Sequence, residues 1–431
     1  MKRAISLITL LSFALSILTL NVNYVFATWD GTSVAMSYAR GTGTESDPYV
    51  ITKPEQLALL AQKVNGGESY NGCFFELGAN IDLGGKEWTP IGTKSKPFKA
   101  SFDGKGFSVG AFMITEDSFE YAAFIGYADG EDAVIKNFVI ETAIIKSSKT
   151  YASGFIGYSS VKELKSITVL PDVIVKGHKT VGGVVGYLHQ SDATYLVNYA
   201  TLVGIGDEST PAGRIGGIAG YITSSCTISY YANHGHISGY GRSMGGIVGY
   251  ASDMNGDATI ESCYNTASIE SINIAKASYV GGIVGYVNQF YETIFLCNNC
   301  YNLSDDITAA VNEAAVGSIF GYKYSGGGRL KRCYSVNVPG LDSLHGCGEF
   351  GSPMLLLSEF KEKNDILVLT NGIDELIEDN RLVPPPILIP ETEATTTQPV
   401  PPATGDVSAV ILAAVCVTCL AAVMAARKKE R

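Results

Sequence analysis

A glycine-rich six-residue unit ending in tyrosine returns seven times along this chain. It reads Ala122-Ala-Phe-Ile-Gly-Tyr127, Ser153-Gly-Phe-Ile-Gly-Tyr158, Gly182-Gly-Val-Val-Gly-Tyr187 and Gly216-Gly-Ile-Ala-Gly-Tyr221. It continues as Gly245-Gly-Ile-Val-Gly-Tyr250, Gly281-Gly-Ile-Val-Gly-Tyr286 and Gly317-Ser-Ile-Phe-Gly-Tyr322. The tyrosines are 31, 29, 34, 29, 36 and 36 residues apart. A unit this short cannot bury its own apolar face, but stacked units share a continuous core. Each has an apolar run bounded by glycine, the length of a strand and too short for a helix. No helical pattern lies between the units, so alternating strand and helix layers are disfavoured. A seven-bladed propeller would need about 40 residues per blade, more than these units supply. The reading is therefore all-β: a right-handed parallel β-helix with Tyr127, Tyr158, Tyr187, Tyr221, Tyr250, Tyr286 and Tyr322 in one ladder.

A second set of tyrosines runs in step: Tyr199, Tyr231, Tyr264, Tyr301 and Tyr334, with Cys263, Cys300 and Cys333 each just before one of them. The spacing predicts a second column, with the three cysteines stacked as buried thiols. A bridge between two neighbours is left open, because adjacent coils fall within disulfide reach. Helical periodicity over 53–64 puts Leu57, Leu60, Ala61 and Val64 on one face, behind a Thr52/Glu55 capping box. This helix is expected to lie over the first coil. Ser352-Pro353 opens a second candidate cap, with Leu356, Leu357 and Phe360 on one side.

The two ends read as addresses. Lys2 and Arg3 precede an apolar stretch to Leu20, and Val25-Phe26-Ala27 offers small residues to a signal peptidase. Residues 1–27 are expected to be a secretory signal cleaved after Ala27. Val407 to Ala426 is 20 residues without a charge, long enough for a membrane helix, and a basic tail follows. Pro402-Ala403-Thr404-Gly405 stands just before it, behind a Pro/Thr-rich linker over 391–401. The body lies between, with an N-terminal cap and first coils over 28–120, repeats over 121–350 and a C-terminal cap over 351–390.

This ending resembles the cell-wall sorting signal of Gram-positive surface proteins, Leu-Pro-x-Thr-Gly. Pro402, Thr404 and Gly405 match it, and Pro401 stands where leucine is usual. The resemblance implies that a sortase cysteine attacks the Thr404 carbonyl, releases Gly405 onward and passes the chain to a peptidoglycan amine. The body resembles the GLUG-motif repeats of bacterial surface proteins. Gly43-Thr-Glu-Ser-Asp-Pro-Tyr-Val50, Glu55 to Ala61, Asn80-Ile-Asp-Leu83, Trp88-Thr-Pro-Ile-Gly92 and Phe102-Asp-Gly-Lys-Gly106 match the usual start of such domains. Leu369-Thr-Asn-Gly372 and Pro386-Ile-Leu388 are similar to their close. That resemblance implies a β-helix at a cell surface and no single activity.

Residues that could carry chemistry are sparse. The net charge is −11, and −15 between the two end segments, the wrong sign for nucleic-acid binding. No H-E-x-x-H is present among the five histidines. His234 and His236 read as solvated loop residues. Asp253 and Asp257, and Asp305 with Asp306, read as loop acids without a stacked partner. Cys297 and Cys300 make a lone C-x-x-C. No metal or cofactor is expected. The tyrosine ladder reads as architecture first and as a glycan-binding strip second. Loops that depart from the repeat are the better places for a ligand. The overall expectation is a non-enzymatic surface protein for adhesion or ligand binding, with a sortase and peptidoglycan as partners. Host glycan or protein ligands stay open, and the membrane is touched only through 407–426. A polysaccharide lyase or hydrolase on the same fold is the alternative.

Overall fold

In the computed structural model the described residues are 28–335, apart from 116, 208–211, 224–225, 254–257, 274–277, 290–294, 311–314, 325–327 and 332. The signal segment with Ala27, the second candidate cap, the linker, Pro402 to Gly405, the 407–426 span and Asp257 lie outside them. No helix among the described residues is long and apolar enough to cross a membrane.

The body is a parallel β-solenoid. Strand β1 (Tyr49–Ile51) pairs with β2 (Phe74–Leu77), β2 with β4 (Ser101–Asp103), and β3 (Ile81–Glu87) with β5 (Ser108–Ile114). After the short β6 (Tyr121–Ala122), β7 (Ile125–Ser147) and β9 (Ile156–Gly177) are long, with β8 (Tyr151–Ser153) between them. They pair in parallel from Ile125↔Ile156 to Ser147↔Gly177, with two register shifts. Later coils break the same path into shorter strands. A separate seven-stranded sheet stacks the segments that precede or open each glycine-rich unit, from Tyr121–Ala122 to Ala315–Gly317.

The repeat unit explains itself in this geometry. Its two central apolar residues point inward, and Ile125, Ile156, Val185, Ala219, Val248, Val284 and Phe320 form one buried column. Ile145, Val175, Leu202, Ile237, Ile269 and Ile307 form another on a different side. Each such side chain contributes about 1.5–3 kcal/mol by leaving water. The glycine pair is a matter of room. A Cβ on Gly246 would fall inside the Gly282 carbonyl and the Asn265 amide, and Gly217 and Gly282 face the same problem with Asn233 and Asn302.

Those asparagines form a spine that the tyrosine pattern does not announce. Asn198, Asn233, Asn265 and Asn302 are fully buried and in register. Asn198 Nδ2 donates to Asn233 Oδ1 at 2.9 Å, Asn233 to Asn265 at 2.9 Å and Asn265 to Asn302 at 3.3 Å. Each also bonds the backbone two residues on, as Asn265 does with Ala267. A fully satisfied ladder of this kind lets a polar side chain sit in the interior at no net loss.

At the first coil, helix α1 (Pro54–Gly66) buries Leu57, Leu60, Ala61 and Val64 into the same core. The expected Thr52/Glu55 box does not form. Lys53 is the N-cap and makes no side-chain cap bond. Gln56 reaches back instead, its Oε1 accepting from Thr52 N at 2.8 Å and Thr52 Oγ1 at 3.3 Å. At the far end Gly67 turns left-handed, at φ +113°.

Candidate functional site

The seven repeat tyrosines are brought into one column. Tyr127↔Tyr158↔Tyr187↔Tyr221↔Tyr250↔Tyr286↔Tyr322 is continuous. Tyr127 and Tyr158 stack at 4.1 Å, and Tyr187 and Tyr221 at 4.6 Å. Where Tyr221 and Tyr250 meet edge-on, Arg214 fills the corner, 4.2 and 4.4 Å from the two rings. The hydroxyls reach one coil onward. Tyr187 bonds Thr223 at 3.0 Å, Tyr221 bonds Ser252 at 2.8 Å, and Tyr250 accepts from Asn288 at 2.7 Å. Ring faces and hydroxyls are thus spent largely on the neighbouring coils. Burial raises the Tyr187 and Tyr250 phenols above their ordinary value, and lifts Tyr151 beside the column to about 12.

The second tyrosine set is not one column. Tyr264, Tyr301 and Tyr334 are in register, but the same position holds Ala232 and Val197 in the earlier coils. Tyr199 falls two places later and stacks on His234 at 4.7 Å. Tyr231 falls one place earlier and is fully buried, its backbone N–H facing Cys263 Sγ at 3.4 Å.

The cysteines gather more closely than spacing suggests. Cys263, Cys297, Cys300 and Cys333 are all fully buried. Cys297, on the expected C-x-x-C, lies 3.7 Å from Cys333, sulfur to sulfur. Burial pushes the Cys297 thiol well above its ordinary value. No group of three or more potential metal ligands is assembled among the described residues.

His234 and His236 lie outside the strands, as expected of loop residues, and are only partly solvated. Each is half-buried and bonded through Nδ1 to the next coil, to Thr266 and Ser268, both at 2.7 Å. His189 does the same with Thr223 at 2.8 Å. Desolvation lowers the His189 and His234 pKa values below 6.5.

Two clefts open at the α1 end of the described body. One, of about 420 Å³, lies between α1 and the 28–34 segment and is walled by Trp29, Trp88, Ala58, Ala61 and Gln62. Glu87 is the one carboxylate lining it, and its oxygens accept from Thr115. The other, of about 410 Å³, is lined by Pro90, Lys94, Phe119, Glu120 and Tyr121. Asn65 borders both and locks the wall between them, bonding Pro90 O at 3.0 Å and Gly92 N at 2.9 Å.

No family model matches this sequence. A protein of Evansella cellulosilytica provisionally named a Gly-rich membrane protein is 30% identical over 106 residues, 23% of this chain and 12% of its own length. Halomucin of Haloquadratum walsbyi is 27% identical over 167 residues, 36% of this chain and 2% of its own. The chain therefore spans only a small part of the curated relatives it matches. A crystal structure from Bacteroides ovatus, provisionally named an immunoglobulin A1 protease, superposes with a TM-score of 0.44 at 21% identity, over 69% of this chain and 78% of that one.

Proposed function

We propose that this protein is exported, fixed to peptidoglycan by a sortase at Thr404, and uses its solenoid to display ligand-binding surfaces. The observation that carries the display reading is the register of the outer columns. Tyrosine rings, hydroxyls and histidines bond from coil to coil, giving a stiff, repetitive exterior. A stiff body suits presentation of fixed contacts, because little ordering cost remains to be met on binding. The terminal motifs at Ala27 and at Pro402 to Gly405 supply the surface location. A relative named for the membrane is in keeping with it.

The anchoring test is expression of the full chain in a Gram-positive host that carries a sortase. Muramidase should release protein whose last residue is Thr404 joined to a wall peptide, and Thr404→Ala should leave it in the membrane fraction. Wall-extracted protein that still ends in Arg431 would refute the anchor. Arrays of glycans and matrix proteins test display. Assay of reducing ends and unsaturated products on polysaccharides tests the alternative, a carbohydrate-active enzyme.

A further inference from the structure

One corner of the solenoid departs from its own rule. Six successive coils from β7 onward turn there through a single residue with left-handed backbone: Asn137, Ser166, Tyr195, Tyr230, Ser262 and Asn299, at φ between +53° and +60°. The flanking registers place these six one above another. Asparagine tolerates this backbone comparatively well, whereas a bulky side chain does not. Two adjacent coils nonetheless carry tyrosine, and neither ring belongs to the buried core.

The pair also differs from the repeat tyrosines in its bonding. Tyr195 and Tyr230 stack on each other at 5.0 Å and 13°. Among the described residues they make no other ring contact, and neither hydroxyl is hydrogen-bonded. The outer face of Tyr195 looks along the axis over Ser166 toward Asn137. The outer face of Tyr230 looks over Ser262 toward Asn299. Two coil steps span about 9–10 Å. A flat ring needs about 7–8 Å to touch both walls. Ser166 therefore floors a slot one ring wide, with the Tyr195 ring on one side and the Asn137 amide on the other, and Ser262 marks a second position of the same kind. The amide wall of the first slot is fixed, Asn137 Nδ2 bonding Asp103 at 2.9 Å, whereas Asn299 crosses the second, its Nδ2 bonding Ser262 at 3.1 Å and its Oδ1 accepting from the Tyr301 hydroxyl. Lys136 and Lys165 beside the first slot are 3.7 and 3.9 Å from Asp103 and Glu163, so that slot has no uncompensated charge.

We infer that the Tyr195–Tyr230 pair is a carbohydrate-binding site that takes a pyranose ring edge-on in the first slot, over Ser166 and between Tyr195 and Asn137. A sugar presents an apolar C–H face to stack on the phenol and hydroxyls to meet serine, amide and the free tyrosine oxygen. Because this slot opens outward, it accepts terminal or branch sugars and not the middle of an unbranched chain. The inference rests on the display reading and names its ligand class.

The test uses the full chain and three probes, a trisaccharide of N-acetylglucosamine, lactose and sialyllactose, followed by calorimetry and tyrosine fluorescence. At least one is expected to bind below about 10 mM, the range of a single-ring contact. Tyr195→Asn should weaken it at least tenfold, and Tyr230→Asn, which removes the ring stacked behind Tyr195, should weaken it by a smaller factor. Asparagine already occupies this backbone at Asn137 and Asn299, so these variants should keep the wild-type circular dichroism and melting temperature. Ser166→Tyr should fill the first slot and weaken binding while lengthening the stack. Sugar binding indifferent to all three substitutions overturns the site and leaves display standing. So does binding of a matrix protein with none of the sugars. Binding of nothing on either array removes both.

Discussion

Replacing Asn265 with alanine removes the acceptor for Asn233 Nδ2 and the donor to Asn302 Oδ1 in one step. Both partners are fully buried, and each stranded group costs about 1–3 kcal/mol. Asn265→Ala should therefore lower unfolding stability by about 2–4 kcal/mol, read as a fall in the urea midpoint. Gly246→Ala should be damaging too, because its Cβ meets the Asn265 amide and the Gly282 carbonyl. Combined with Asn265→Ala, its cost should be less than additive, since the amide carbon at 2.4 Å is removed while the residue-265 Cβ at 2.7 Å stays. His234 gives a pH signature. It is held neutral by desolvation, with its folded pKa below 6.5, so the unfolded chain takes the proton first. Its stabilisation is complete above 6.5 and is lost as pH falls through the depressed folded value. Urea midpoints measured between about pH 7.5 and 5 should fall, and His234→Gln should flatten that slope.

The helix and the tyrosine columns show which parts of an element can be read from its residues. The apolar face of α1 was legible because burial repeats every three to four residues, and Leu57, Leu60, Ala61 and Val64 are all inside. Its cap was not, because two side chains could reach back and sequence does not rank them. Glu55→Ala should leave stability nearly unchanged, whereas Gln56→Ala should cost about 1 kcal/mol in thermal or urea unfolding. The first tyrosine column was legible because its glycines leave no other register. The second was misaligned by Tyr199 and Tyr231, since turns of unequal length shift a residue by one or two places without changing the apparent period. The left-handed corner was invisible: asparagine, serine and tyrosine share no composition, only a backbone.

Across the whole described body the interior is closed to solvent reagents. Cys226, Cys263, Cys297, Cys300 and Cys333 are buried, and Cys73 is half-buried. Burial raises Cys226 to about 11, and the thiolate is the reactive form. Brief treatment with a maleimide, followed by peptide mass mapping, should modify Cys73 first among these six described cysteines. The other five should react only once denaturant opens the coils. Native labelling of Cys300 would contradict this closed stack. The corner has a different consequence for the lineage of such chains. Six successive coils hold one backbone shape whichever side chain it bears, and the interior does not register the exchange. Selection can rewrite that outer lettering one coil at a time, and duplicate or delete whole lines, while the frame beneath is inherited unchanged.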